Sequence, residues 1–168
     1  CLSASALTPA NRSGFIDLVI TSPPYVNGTN YFRNTKIELW LAGLLERETE
    51  LAGFTDIAMA AGINNISKRG RTPHVIECVE KVAAKLDKVA YDKRIPELVR
   101  RYFSDSKAWI ENVYKLLKPG GHALIDIGDS RYAGIHVPAD ALLASISEAI
   151  GFTVVETRLI RNRKSKDG

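Results

Sequence analysis

The apolar positions along the chain change period several times, and each change marks an element. Phe15-Ile16-Asp17-Leu18-Val19-Ile20-Thr21 is a short, β-branched apolar run that reads as a buried strand. Ser22-Pro23-Pro24 closes it, because the prolines cannot donate to a ladder. Over 33–45 the spacing of Ile37, Trp40, Leu41, Leu44 and Leu45 predicts a helix, with Trp40 and later Trp109 as core anchors. A weaker helical pattern covers 47–61 and stops near Gly62, and 64–71 reads as a loop. From about Pro73, one helical face carries Val75, Ile76, Val79, Val82, Ala83, Leu86 and Val89. A second helix starts at Pro96, a good first-turn residue, and carries Leu98, Val99, Tyr102, Phe103, Ile110, Val113, Tyr114 and Leu117. Lys118-Pro119-Gly120-Gly121 stops it. Residues 122–128 read as the second strand, 138–150 as a helix ended by Gly151, and 152–160 as the third strand.

Strand, helices, strand, helix, strand is the order of an α/β parallel sheet with right-handed crossovers. The first crossover runs about 100 residues, where a dozen or more suffice. It is therefore expected to hold a helical insertion. Three strands are few for an independent sheet, so either further strands are hidden in the pattern or part of the sheet lies outside this chain. The first residue is Cys1 rather than Met, which fits either a processed chain or a piece of a longer reading frame.

Composition narrows the class without deciding it. The chain has 168 residues, 45% hydrophobic and 25% charged, as in an ordinary globular domain. No apolar run reaches the ~20 residues that span a bilayer, so no membrane association is expected. Two cysteines, Cys1 and Cys78, make no disulfide framework, and a cytoplasmic location is expected. His74, His122 and His136 show no metal-ligand spacing, so no metal is expected. The net charge of +4 is uneven: residues 60–101 hold ten basic and five acidic side chains, and 158–168 hold five and one. Such blocks suit a phosphate backbone, and equally a solvated helix face and a frayed tail.

The chemistry concentrates where strands end. In a parallel α/β sheet, ligands bind beyond the carboxyl ends of the strands. Thr21-Ser22-Pro23-Pro24-Tyr25 follows the first strand, and Gly128-Asp129-Ser130 the second. The Pro23 carbonyl faces no adjacent amide donor, since Pro24 lacks an N–H. With the Ser22 hydroxyl it makes two acceptors, suited to the two hydrogens of an –NH2 group. Tyr25 offers a flat face for a planar base, worth ~1–3 kcal/mol in stacking. A proline-stiffened strand exit with Tyr25 in the core is the plainer alternative. Directly after such a strand it is the minority reading.

Residues 15–25 resemble the catalytic motif of the amino-DNA methyltransferases. Residues 116–129, from Leu116-Leu117-Lys118-Pro119-Gly120-Gly121 to Asp129, resemble the helix, turn and strand that follow it. Asn30-Tyr31-Phe32-Arg33 through Glu38-Leu39-Trp40-Leu41-Ala42-Gly43 is similar to one subgroup of site-specific enzymes. The resemblance implies a Rossmann-like methyltransferase fold that uses S-adenosylmethionine, methylates DNA, and serves restriction–modification. Ser22, Pro23, Pro24 and Tyr25 would be catalytic: the first two would hold the target amine, and Tyr25 would stack on a flipped base. Ser in the first position leans towards N4 of cytosine over N6 of adenine. Residues 1–32 and 95–168 would form the partial catalytic core, and 33–94 a helical insertion able to contact DNA.

One departure stands out. The family carries a Gly-rich cofactor loop, and this chain has no Gly-x-Gly. The chain therefore reads as a catalytic half, with the cofactor half in a missing segment, in a second chain, or degenerate. Thr21, Asp129 and Ser130 are candidates for cofactor contact, with turn capping equally open for Asp129 and Ser130. Asn27, Tyr31, Arg33, Lys68, Arg69 and Arg71 are candidates for nucleic-acid contact. Core packing stays open for Tyr31, and a solvated loop for the last three. Asp126 is expected inside the second strand as a structural hydrogen-bond partner. An RNA N-methyltransferase and a non-catalytic nucleic-acid-binding remnant or subunit are the competing functions.

Overall fold

A computed structural model describes residues 12–26, 34–53, 58–66 and 72–161. Ile16–Thr21 forms β1, and Leu117–Ile125 forms β2. They pair in parallel, with Leu18 opposite His122 and Thr21 opposite Ile125. Ile16 lies opposite Leu117, so the register shifts between Ile16 and Leu18 and the turn 118–121 bulges out of the ladder. Glycine is required there. Gly120 has φ +78°, and a Cβ on Gly121 would lie 3.0 Å from the Lys118 carbonyl and 3.1 Å from that of Asp17. Lys118 Nζ reaches both carboxylate oxygens of Asp17, at 2.8 and 2.9 Å, and pins the start of the two strands together.

Between the strands run α1 (Lys36–Leu41), α2 (Glu77–Val89) and α3 (Arg94–Leu116), with short 3-10 turns at 48–50 and 63–65. After β2 come a hairpin, β3 (Ser130–Tyr132) and β4 (Ile135–Val137), and then α4 (Ala139–Ile150). The core is built around α3, which buries Ile95, Leu98, Val99, Tyr102, Phe103, Trp109 and Ile110. Val79 and Leu86 of α2 and Leu142, Leu143 and Ile146 of α4 join the same cluster. Arg100 of α3 bridges Glu80 and Asp87 on α2, with closest N–O distances of 2.6 Å to each. The backbone amides of Gly14 and Phe15 donate to the carbonyls of Lys115 and Leu116, which satisfies the end of α3 just before β1 begins.

Several expectations change. Residues 152–160 form no regular element and make no ladder among the described residues, and Val155, Leu159 and Ile160 are exposed. The alternating pattern there is that of a strand without a partner. Among the described residues, the helix expected over 33–45 is confined to a short one, and the 47–61 pattern yields a turn and a few helical residues. Trp40 is 65% exposed and anchors no core, because α1 turns Ile37, Trp40 and Leu41 outward, whereas Trp109 is buried as expected. The hairpin at 130–137 was not expected. The α/β class and the parallel pairing of the two clearest strands hold.

Candidate active site

The pairing of β1 with β2 puts both polar strand exits on one rim. Thr21 and Ile125 are partners, and the Asp126 amide donates to the Thr21 carbonyl at 2.9 Å, so the chains leave the sheet side by side. Ser22-Pro23-Pro24-Tyr25 departs from one strand and Asp126-Ile127-Gly128-Asp129 from the other. Asp126, expected inside the strand, sits just past its end and is exposed. Tyr25 crosses between the exits. Its ring packs over Gly128, and its hydroxyl donates to Asp126 Oδ2 at 3.0 Å.

That bond sets the polarity of the next one. A phenol has one hydrogen and a carboxylate has none. With the Tyr25 hydrogen given to Asp126, the 3.2 Å contact between Ser22 Oγ and Tyr25 Oη takes its hydrogen from Ser22. The Ser22 oxygen is then left as an acceptor. Among the described residues nothing donates to the Pro23 carbonyl, whereas the neighbouring Pro24 carbonyl accepts from Tyr102 Oη at 2.8 Å. The loop therefore presents the Ser22 hydroxyl oxygen and the Pro23 carbonyl as acceptors beside the Tyr25 ring.

The rest of the rim is differently occupied. Asp129 Oδ2 lies 2.7 Å from His136 Nε2, and its other oxygen accepts from the Asp140 amide at 3.4 Å, in the first turn of α4. Ser130 Oγ is sealed from solvent and, among the described residues, has no hydrogen-bond partner. Asp129 is exposed and engaged by the hairpin and the first turn of α4, whereas Ser130 is closed off from solvent. Thr21 is half-buried at the end of β1. Asn27, Tyr31, Arg33, Lys68, Arg69 and Arg71 lie outside the described residues. Among the described residues no group of three His, Cys, Asp or Glu is placed to hold a metal, and no helix is long and apolar enough to cross a membrane.

Asp126 is the structural hydrogen-bond partner the sequence suggested, and what it orders is the Tyr25 hydroxyl. Sequence reasoning missed two contributors: Tyr102 holds the Pro24 carbonyl, and Tyr132 Oη donates to the Val26 carbonyl at 2.9 Å. The available signal was residue type: a tyrosine on a buried face needs a partner for its hydroxyl, where phenylalanine would not.

Comparison with known proteins gives the family. The DNA methylase family profile matches residues 16–166. The Type II methyltransferase M.AvaI of Nostoc sp. is 29% identical over 163 residues, which cover 90% of this chain and 34% of that protein. The Type II methyltransferase M.BsoBI of Geobacillus stearothermophilus is 26% identical over 184 residues, covering 95% and 36%. The chain thus spans about a third of the length of these relatives. No solved structure matches it. The family match across nearly all of the chain and the acceptor loop at its strand ends lead to one conclusion: this chain belongs to the amino-DNA methyltransferase family.

Proposed function

We propose that this chain holds the acceptor base in S-adenosylmethionine-dependent methylation of an exocyclic amine on DNA, with N4 of cytosine as the target. The observation that carries this reading is the ordered set Ser22–Tyr25–Asp126 at the carboxyl ends of two paired parallel strands. The Ser22 oxygen and the Pro23 carbonyl accept the two amine hydrogens. The amine lone pair is thereby drawn out of conjugation with the ring and left free for in-line attack. Tyr25 stacks on the base once it has left the duplex. As the nitrogen–methyl bond forms, the methyl–sulfur bond would break to leave a neutral thioether, and the surplus amine proton would pass to solvent through the Ser22 or Pro23 acceptor; no strong base is required, and the chain contributes by positioning and by fixed hydrogen-bond polarity. S-adenosylmethionine, when bound, supplies the sulfonium methyl. The lean towards cytosine rests on Ser22 in the first position of the loop.

We further infer that the cofactor cradle comes from sequence beyond this chain or from a second chain. Parallel sheets are covered on both faces. Here Leu18, Ile20 and Leu124 share a face that stays open, with Ile20 72% exposed. A further layer bearing the Gly-rich loop, packed on that face and along β1, accounts for both the bare surface and the missing motif.

The test is single-turnover methyl transfer to duplex DNA by the protein as the cell makes it. Ser22→Ala and Tyr25→Ala each lower the rate by about 10²–10³-fold, the scale for losing one preorganised polar contact. Thermal melting stays close to wild type. Wild-type rates in both variants would remove these residues from the chemistry, and transfer to RNA alone would change the substrate class.

A further inference from the structure

Tyr25 is flanked by two carbonyls, and each accepts a hydrogen bond from a tyrosine on a different element. Tyr102 of α3 donates to Pro24, and Tyr132 at the end of β3 donates to Val26, at 2.8 and 2.9 Å. Tyr102 is fully buried, with its ring edge-on to Phe103 at 5.0 Å between centroids. Val26 is fully buried too. The loop has little means of holding itself, because Pro23 and Pro24 carry no amide hydrogens. Its shape is therefore imposed from outside, by a helix on one side and a hairpin on the other. Burial pushes the Tyr132 phenol up to about 12, so it keeps its hydrogen across the neutral range.

We propose that Tyr102 and Tyr132 are positioning residues, which clamp the main chain on both sides of Tyr25 and so set the plane on which the target base stacks. The proposal rests on the amine-holding reading of the loop. Phenylalanine at either position fills the same space. The hydroxyl alone addresses the loop, and its loss leaves a buried carbonyl without a donor. The clamp also gives the hairpin a role: its first strand ends on the residue that reaches Val26.

The test pairs hydrogen exchange with kinetics in Tyr102→Phe and Tyr132→Phe, made in the whole protein. Exchange at the Tyr25 and Val26 amides should rise about tenfold in each variant, while amides of α4 such as Leu142 and Ile146 keep wild-type protection. The single-turnover methyl-transfer rate should fall about tenfold, with the DNA dissociation constant within about threefold of wild type. A merely structural role would loosen α4 together with the loop and leave the rate per folded molecule unchanged; that result overturns the clamp. So does wild-type loop exchange in both variants. If the wild-type protein transfers no methyl while loop exchange still rises, the clamp stands as a loop anchor and the amine-holding reading falls.

Discussion

At Gly128 the backbone comes so near the Tyr25 ring that a Cβ would lie 3.2 Å from Cδ2 and 3.3 Å from Cε2. That spacing is tighter than an ordinary carbon contact, so the ring must move if the position gains a side chain. Gly128→Ala is expected to tilt Tyr25 off Asp126 and lower methyl transfer about tenfold, with a loss of stability of about 1 kcal/mol or less. Parallel activity assays and urea melts check this. The residues of the loop were legible beforehand because they are contiguous, and Ser22, Pro23 and Tyr25 state their chemistry in four positions. Asp126 was legible as a structural hydrogen-bond partner but its bond to Tyr25 was not, because it lies 101 residues away and only the strand pairing brings the two together. Tyr102 and Trp40 both read as core from periodicity. One proved to be a buried donor and the other an exposed ring, since periodicity marks an apolar face but not what lies against it.

Among the elements, the hairpin is the clearest miss, and its turn explains why. Ala133 and Gly134 both have positive φ, +47° and +77°, as a tight two-residue hairpin turn requires. Asn-Gly or Asp-Gly would have signalled it; Ala-Gly does not. An alanine in the left-handed region is strained, so Ala133→Gly is expected to stabilise the protein by about 0.5–1 kcal/mol in denaturant melts, without changing activity. The long helices α3 and α4 were legible because amphipathic periodicity over many residues is decisive. The 152–160 segment was not, because alternation predicts a strand only where a neighbouring strand exists. The packing of α2 on α3 carries a pH signature. Hydrogen bonds from Arg100 hold the Glu80 and Asp87 carboxyls below their ordinary values of 4.5 and 3.8. Lowered carboxyls stabilise the fold above the unfolded values and lose that contribution as pH falls through the folded ones. Arg100→Met is therefore expected to be less stable than wild type at neutral pH, with the gap closing as the pH falls below 3.8. Urea melts across that range check the sign.

At the scale of the whole molecule, the two faces of the β1–β2 pair differ: Ile125 packs against the helical core, and the opposite face is open among the described residues. The open face carries Leu18, Ile20 and Leu124, and the chain covers about a third of its curated relatives. On the proposed reading, site and sheet divide alike: the rim of this chain holds the amine, and the cofactor cradle belongs to a further layer on the open face. The most direct test of this account is the product. Duplex DNA is incubated with the protein as the cell makes it and S-adenosylmethionine, digested to nucleosides and analysed by mass. The account predicts a methyl group on an exocyclic amine, as N4-methylcytosine, and its loss with Ser22→Ala. N6-methyladenine would keep the amine chemistry and correct the base. Methylation at a ring carbon, or amine methylation that survives Ser22→Ala, would contradict the account.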